Sequence, residues 1–207
     1  MFIERMKESF KMTTPIFSRE ILTLFKDYST AYVFRMIKKA EESGDLVKFS
    51  TGVYFMPEPT FFGQTTITAD KVVERRYIRD GNEVFGVYSG IRLLNFFDAT
   101  TQLPMTLEIV SNNETMRRRE ISFNRRRFIL RKSRCQITAD NANAYMVLQF
   151  FNDMKMKSEL SEWSKRRLTE FIQKNNISAQ SLIELAKYFP AQTTKNLIYS
   201  EVLNATA

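Results

Sequence analysis

Arg117 to Arg134 reads RRREISFNRRRFILRKSR and holds nine basic side chains and one acid, Glu120. Guanidinium groups at that density suit phosphates or acidic protein surfaces, because each stays charged and offers a fork of donors. The stretch reads as a β-hairpin, Arg118 to Phe123 and Arg127 to Arg131, around Asn124-Arg125. Side chains alternate across such a hairpin. Ile121, Phe123, Phe128 and Leu130 then turn inward, and Arg125, Arg127 and Arg131 crowd an exposed side. Arg117, Arg118, Arg119 and Arg126 complete the candidate basic surface. The competing reading is an edge hairpin kept from pairing with other chains by its charges.

A second set of candidates lies between Ser29 and Thr51. If Val33, Ile37 and Ala40 pack inward on one helix, then Ser29, Thr30, Tyr32, Arg35 and Lys39 face solvent. Small hydroxyls at a helix N-terminus suit phosphate contacts. Tyr32 and Arg35 are long enough to reach base edges, and arginine can bond guanine through two hydrogen bonds. Lys48, Ser50 and Thr51 fall on or near a following hairpin. Each of these is equally well the polar face of an amphipathic element. Their order is more specific than any one of them.

The resources for catalysis are thin. With no histidine, a Ser-His-Asp triad, a Cys-His pair and a histidine metal site are excluded. One cysteine, Cys135, excludes an intramolecular disulfide and a cysteine-rich zinc site. The basic run before it favours a thiolate, but there is no histidine to act as base, so an ordinary thiol is expected. Asp70 and Glu74 stand four apart, and Asp98 and Glu108 flank a strand. Paired carboxylates can do acid–base work or hold magnesium. The simpler expectation for the first pair is a solvated helix face with Arg75 or Arg79. No Gly-rich phosphate loop and no G-x-S-x-G turn is present. No catalytic residue, metal or cofactor is expected.

These side chains need elements to position them. A helix is predicted from about Phe2 to Lys11, broken by Thr13, Thr14 and Pro15. Ser18 is the expected N-cap of a second helix with Ile21, Leu22 and Phe25 inward. Ser29 caps a third, through about Ser43, which Gly44 ends as an αL residue. Leu46 to Phe49 and Val53 to Met56 form a hairpin about Ser50-Thr51-Gly52. Helix, helix and glycine-tipped hairpin from Ile16 to Pro59 is the layout of a winged helix-turn-helix, whose second helix enters a major groove. Pro57 and Pro59 mark a domain boundary. Beyond it, Asp70 to Tyr77 and Ser89 to Phe96 read as helices and Met105 to Ile109 as a half-buried strand. From Asn141 the pattern is helical, with Tyr145, Leu148, Phe151, Trp163, Leu168, Phe171 and Ile172 as core, and Pro190 opening the last helix at N1.

The charge is uneven. The net +8 points to an acidic partner, nucleic acid being the commonest. Residues 1–59 carry 9 Lys+Arg against 8 Asp+Glu, and residues 60–139 carry 14 against 8. The excess therefore lies outside the expected winged helix. The N-terminus, MFIERMKESFKM, is charged and unlike a secretory signal, so a cytoplasmic location is expected. No apolar run is long enough to cross a bilayer, and no membrane partner is expected.

The chain resembles the AbiEi-like antitoxins of type IV toxin–antitoxin (abortive infection) systems, a branch of transcriptional regulators with an N-terminal winged helix. The resemblance rests on EESGDLVKFSTGVYF, the exit MPEPTFFG, the central SGIRLLNFFDATTQLP, the hairpin ISFNRRRFILRK and the tail LIELAKYFPAQTTKNLI. The central segment, in order with the others, is the most specific. The resemblance implies an α+β protein of two parts. Residues 1–59 would be a winged helix-turn-helix that represses its own operon through inverted repeats in promoter double-stranded DNA, as a monomer or dimer. Residues 60–207 would be a mixed α/β antitoxin domain with the basic hairpin, ending in a helical bundle. It would oppose a nucleotidyltransferase-like toxin without needing a stable complex. The alternative is a protein- or RNA-interaction module centred on Arg117–Arg134, with the winged helix as scaffold.

Overall fold

The structure, a computed structural model, describes residues 2–61, 63–123, 125–154 and 160–205. It is a mixed α+β chain that divides into two compact units, Met1–Arg75 and Arg76–Ala207.

The N-terminal unit runs α1 (Phe2–Ser9), β1 (Ile16–Phe17), α2 (Ser18–Leu24), α3 (Thr30–Glu42), β2 (Val47–Ser50) and β3 (Val53–Phe55). The short pair β4 (Pro59–Thr60) and β5 (Gly63–Gln64) follows, and then α4 (Ala69–Tyr77), whose last two residues belong to the second unit. Strands β1, β3 and β2 make an antiparallel sheet in that order. Phe2, Met6, Ile21, Phe25, Val33, Ile37 and Ala40 supply the core with Leu46, Tyr54 and Met56. These positions recur at helical spacing on each helix, so burying one stripe per helix closes the unit.

Two expectations shift here. Ser18 is the first helical residue and Phe17 the N-cap, because the Glu20 carboxylate reaches back to the Phe17 N–H at 2.7 Å. The proline pair does not end the unit, which continues through Arg75. Arg75 donates to both Glu20 oxygens and to the Pro15 carbonyl. That ties residues 60–75 to the first helices and leaves Arg75 engaged far from a simple pairing along its own helix.

The second unit begins with β6 (Arg79–Asp80), β7 (Glu83–Val84), β8 (Gly86–Ser89) and α5 (Ile91–Phe96). Then come β9 (Thr106–Ser111), β10 (Arg119–Phe123) and β11 (Arg126–Lys132). Four strands form one sheet in the order β10-β11-β9-β8. The β9–β11 pair is parallel, with Phe128 opposite Leu107 and Leu130 opposite Ile109, and the other pairs are antiparallel. Met105 stays outside β9 and is 82% exposed, contrary to the expected strand. Of the expected turn pair Asn124-Arg125, Asn124 lies outside the described residues.

Helices α6 (Ala142–Asp153), α7 (Glu162–Lys174), α8 (Ala179–Ala186) and α9 (Ala191–Tyr199) complete the unit. Helix α6 is apolar nearly all round and is buried by its neighbours, with Tyr145, Leu148, Phe150 and Phe151 at its centre. Pro190 is the N-cap of α9 rather than its first residue. Trp163 is exposed, not core. The inward line of α7 is Ser164, Leu168 and Ile172, and Trp163 stands one position off it, where Arg166 lies over its ring.

Candidate nucleic-acid interface

The third helix presents what its sequence spacing implied. The Ser29 hydroxyl accepts from the Tyr32 N–H at 3.3 Å, which satisfies one orphan donor of the first turn. Val33, Ile37 and Ala40 are buried. Ser29, Thr30, Tyr32, Arg35 and Lys39 are all exposed. Tyr32, Arg35 and Lys39 fall on one helical face at three- and four-residue spacing. The Arg35 guanidinium lies over the Tyr32 ring at 5.6 Å, a cation–π contact that limits its rotamers before any ligand arrives. Tyr28 and Lys38 were not singled out by sequence. Tyr28 stacks on Tyr32 at 5.3 Å, and its position four residues earlier was the available signal. Lys38 is exposed beside Lys39.

The hairpin divides its candidates. Lys48 and Thr51 are exposed, Thr51 at the turn. The Ser50 hydroxyl is buried and makes no hydrogen bond, so it is not offered to a phosphate. The cause is local: the register of β2 against β3 shifts between Lys48 and Ser50, which turns Ser50 inward opposite Val53.

The basic hairpin is less bare than its composition. The sequence window contains only Glu120, but the fold brings in Glu108 from β9 and Glu114 from the loop before β10. Arg131 makes two hydrogen bonds to Glu108, at 3.0 and 3.2 Å. Arg119 sits 2.8 Å from Glu114 and donates to the Tyr77 hydroxyl at 3.0 Å. Arg119 and Arg126 also lie on the side of the sheet that carries Phe128 and Leu130, and both are half-buried. Arg127 approaches Glu120 at 3.9 Å. Arg119, Arg126 and Arg131 therefore belong to the scaffold more than to a free cationic face, whereas Arg127 stays exposed and loosely paired. Arg117, Arg118 and Arg125 are exposed and have no carboxylate partner among the described residues.

The Asp98 and Glu108 carboxylates do not face a shared site. Glu108 is committed to Arg131, and Asp98 sits exposed after α5. Two enclosed carboxylates were not picked out by sequence spacing: Glu114, which is buried, and Asp153, which is half-buried. Asp153, at the end of α6, accepts from the Gly90 N–H and Gln149 Nε2, both at 2.8 Å, and from Asn152 Nδ2 at 3.2 Å. Burial pushes its pKa above the ordinary carboxylate value, and the charge of Glu108 adds to the effect. Burial likewise pushes the Tyr145 hydroxyl up to about 12, where it serves as a neutral acceptor for the Arg134 N–H. Burial raises the Cys135 thiol too, outweighing the lowering by Lys187, so the basic run does not activate it. Among the described residues no cluster of three or more carboxylate or thiol ligands could hold a metal, and no helix is long and apolar enough to cross a membrane. A scan against protein-family models and a search of curated proteins found no match to the chain.

Proposed function

We propose that the N-terminal unit is a winged helix-turn-helix and that the chain is a DNA-binding autorepressor. The carrying observation is the sequence of elements α1-β1-α2-α3-β2-β3. It has a β1-β3-β2 sheet and an exposed α3 face of Tyr32, Arg35 and Lys39. In this reading α3 reads a major groove and the β2–β3 turn, with Lys48 and Thr51, rests on neighbouring phosphates. With the resemblance to AbiEi-like antitoxins, the reading extends to a cytoplasmic antitoxin of a type IV system. It would act on inverted repeats in its own promoter and counter a nucleotidyltransferase-like toxin.

Footprinting of the promoter upstream of its gene should show a protected inverted repeat. Arg35→Ala with Lys39→Ala should weaken promoter binding by at least about tenfold, since a good base contact is worth roughly 1–3 kcal/mol. Unchanged affinity in the double variant would remove α3 from the groove. Growth rescue on co-expression with a nucleotidyltransferase-like product of the adjacent gene tests the antitoxin half.

A second reading is a protein- or RNA-interaction module. Arg117, Arg118 and Arg125, with no carboxylate partner among the described residues, favour it. RNA or protein capture that fails when these three are replaced by Gln, with promoter binding absent throughout, would select that reading.

A further inference from the structure

A ladder of aromatic rings crosses the N-terminal unit. Phe2 stacks on Phe25 with centroids 4.7 Å apart, and Tyr28 tilts against Phe25 at 6.3 Å. Tyr32 continues the ladder from Tyr28. The rings border a cavity of about 300 Å³, closed by Val33 and Met36. That volume is at the small end of the range for small-molecule sites.

Among the described residues the lining carries one charge. Arg5 lies over the Phe25 ring at 5.0 Å and is half-buried. No carboxylate lines the cavity, and Arg5 has no carboxylate partner among the described residues. A partly desolvated guanidinium without a counter-charge is costly, and an arriving anion offsets that cost. Phe25 is buried between Phe2 and Arg5, so the exposed rings of Tyr28 and Tyr32 are the ones that can take a flat aromatic group by offset stacking. Tyr28 and Tyr32 are 46% and 40% exposed, so the rim is open to a ligand from solvent.

We propose that this cavity binds a planar aromatic carboxylate, with its ring against Tyr28 and Tyr32 and its carboxylate on Arg5. The site goes beyond DNA binding and does not depend on it, so it is tested on the full chain without DNA. The probe is 2-naphthoate, followed by calorimetry, with neutral 2-naphthamide for comparison. Naphthoate should bind saturably at one site. Arg5→Gln should weaken it at least about tenfold through loss of a charge-assisted bond, and should leave naphthamide within about twofold. Tyr28→Ala, at an exposed position, should weaken both probes. Arg125→Gln, in the other unit, should change neither. Absence of saturable binding into the millimolar range overturns the site. So does binding that survives both Arg5→Gln and Tyr28→Ala but falls with Arg125→Gln, which would reveal general attraction to a +8 chain. Circular dichroism of each variant confirms folding. Should Arg5→Gln misfold, the Tyr28→Ala and naphthamide comparisons decide.

Discussion

Gly90 stands at φ +62° and ψ −147°, a backbone region almost confined to glycine. A Cβ there would lie 2.9 Å from Glu108 Oε1. The chain therefore passes close to a carboxylate that Arg131 holds, and the Gly90 N–H goes to Asp153. This one residue joins the turn before α5 to the end of α6. Because partial burial desolvates the Asp153 carboxylate, its proton is held more tightly in the folded chain than in the unfolded chain, where the ordinary value is 3.8. Between the two pKa values the folded state keeps a proton that the unfolded state has lost, so this group's contribution to stability falls as pH rises through that window. Asp153→Asn carries no titrating proton. Its lost hydrogen bonds cost the same at every pH. Urea unfolding of both proteins from pH 3.5 upward should show the difference shifting in the variant's favour as pH rises above about 4. A difference flat across pH would mean that ionised Asp153 is not penalised.

At the scale of elements, α3 was legible because its signals are local. The Ser29 cap, the Val33-Ile37-Ala40 stripe and Gly44 at φ +79° all lie within a few turns of one another. The same helix carries an acid near its proposed binding face. Glu42 is exposed, three residues after Lys39 and seven after Arg35. A carboxylate there repels phosphate. Glu42→Gln should therefore tighten promoter binding a few-fold, by roughly 0.5–1 kcal/mol, and the gain should shrink in high salt. No change in a mobility-shift titration would place the last turn of α3 away from the DNA. The basic hairpin was less legible for the converse reason. Its strands and their alternation were local, but Glu108 and Glu114 reach it through tertiary structure. A window of sequence counts nine cations and misses the acids that pair with Arg119 and Arg131. Ser50 was misjudged because a register shift is a property of two strands. Residues beyond the proline pair belong to the first unit through contacts distant in sequence, such as that of Arg75 with Glu20, 55 residues away.

For the whole molecule, charge and proposed groove recognition fall in different units. Residues 1–75 carry 11 Lys+Arg and 10 Asp+Glu, and residues 76–207 carry 20 and 13. A nearly neutral reader can be specific, but it gains little long-range attraction for a polyanion. Like Lys132 and Arg134 nearer its end, Arg117, Arg118 and Arg125 are exposed cations of the basic run that no carboxylate neutralises among the described residues. Two roles suit them. Strand β10 is an edge of the four-stranded sheet, and charges flanking an edge discourage pairing with other chains. Contact with phosphates is the other role, and the salt dependence of promoter binding separates the two. Each phosphate neutralised contributes about 0.9 to the slope of log K against log salt. If the three arginines touch DNA, replacing all of them by Gln should make that slope shallower by about 3, with little change in preference for the inverted repeat over random DNA. Arg35→Ala with Lys39→Ala should instead lower that preference sharply while flattening the slope by no more than about 2. A triple variant with an unchanged slope but a new tendency to self-associate would assign the arginines to guarding the edge, and would leave the N-terminal unit to hold DNA by itself.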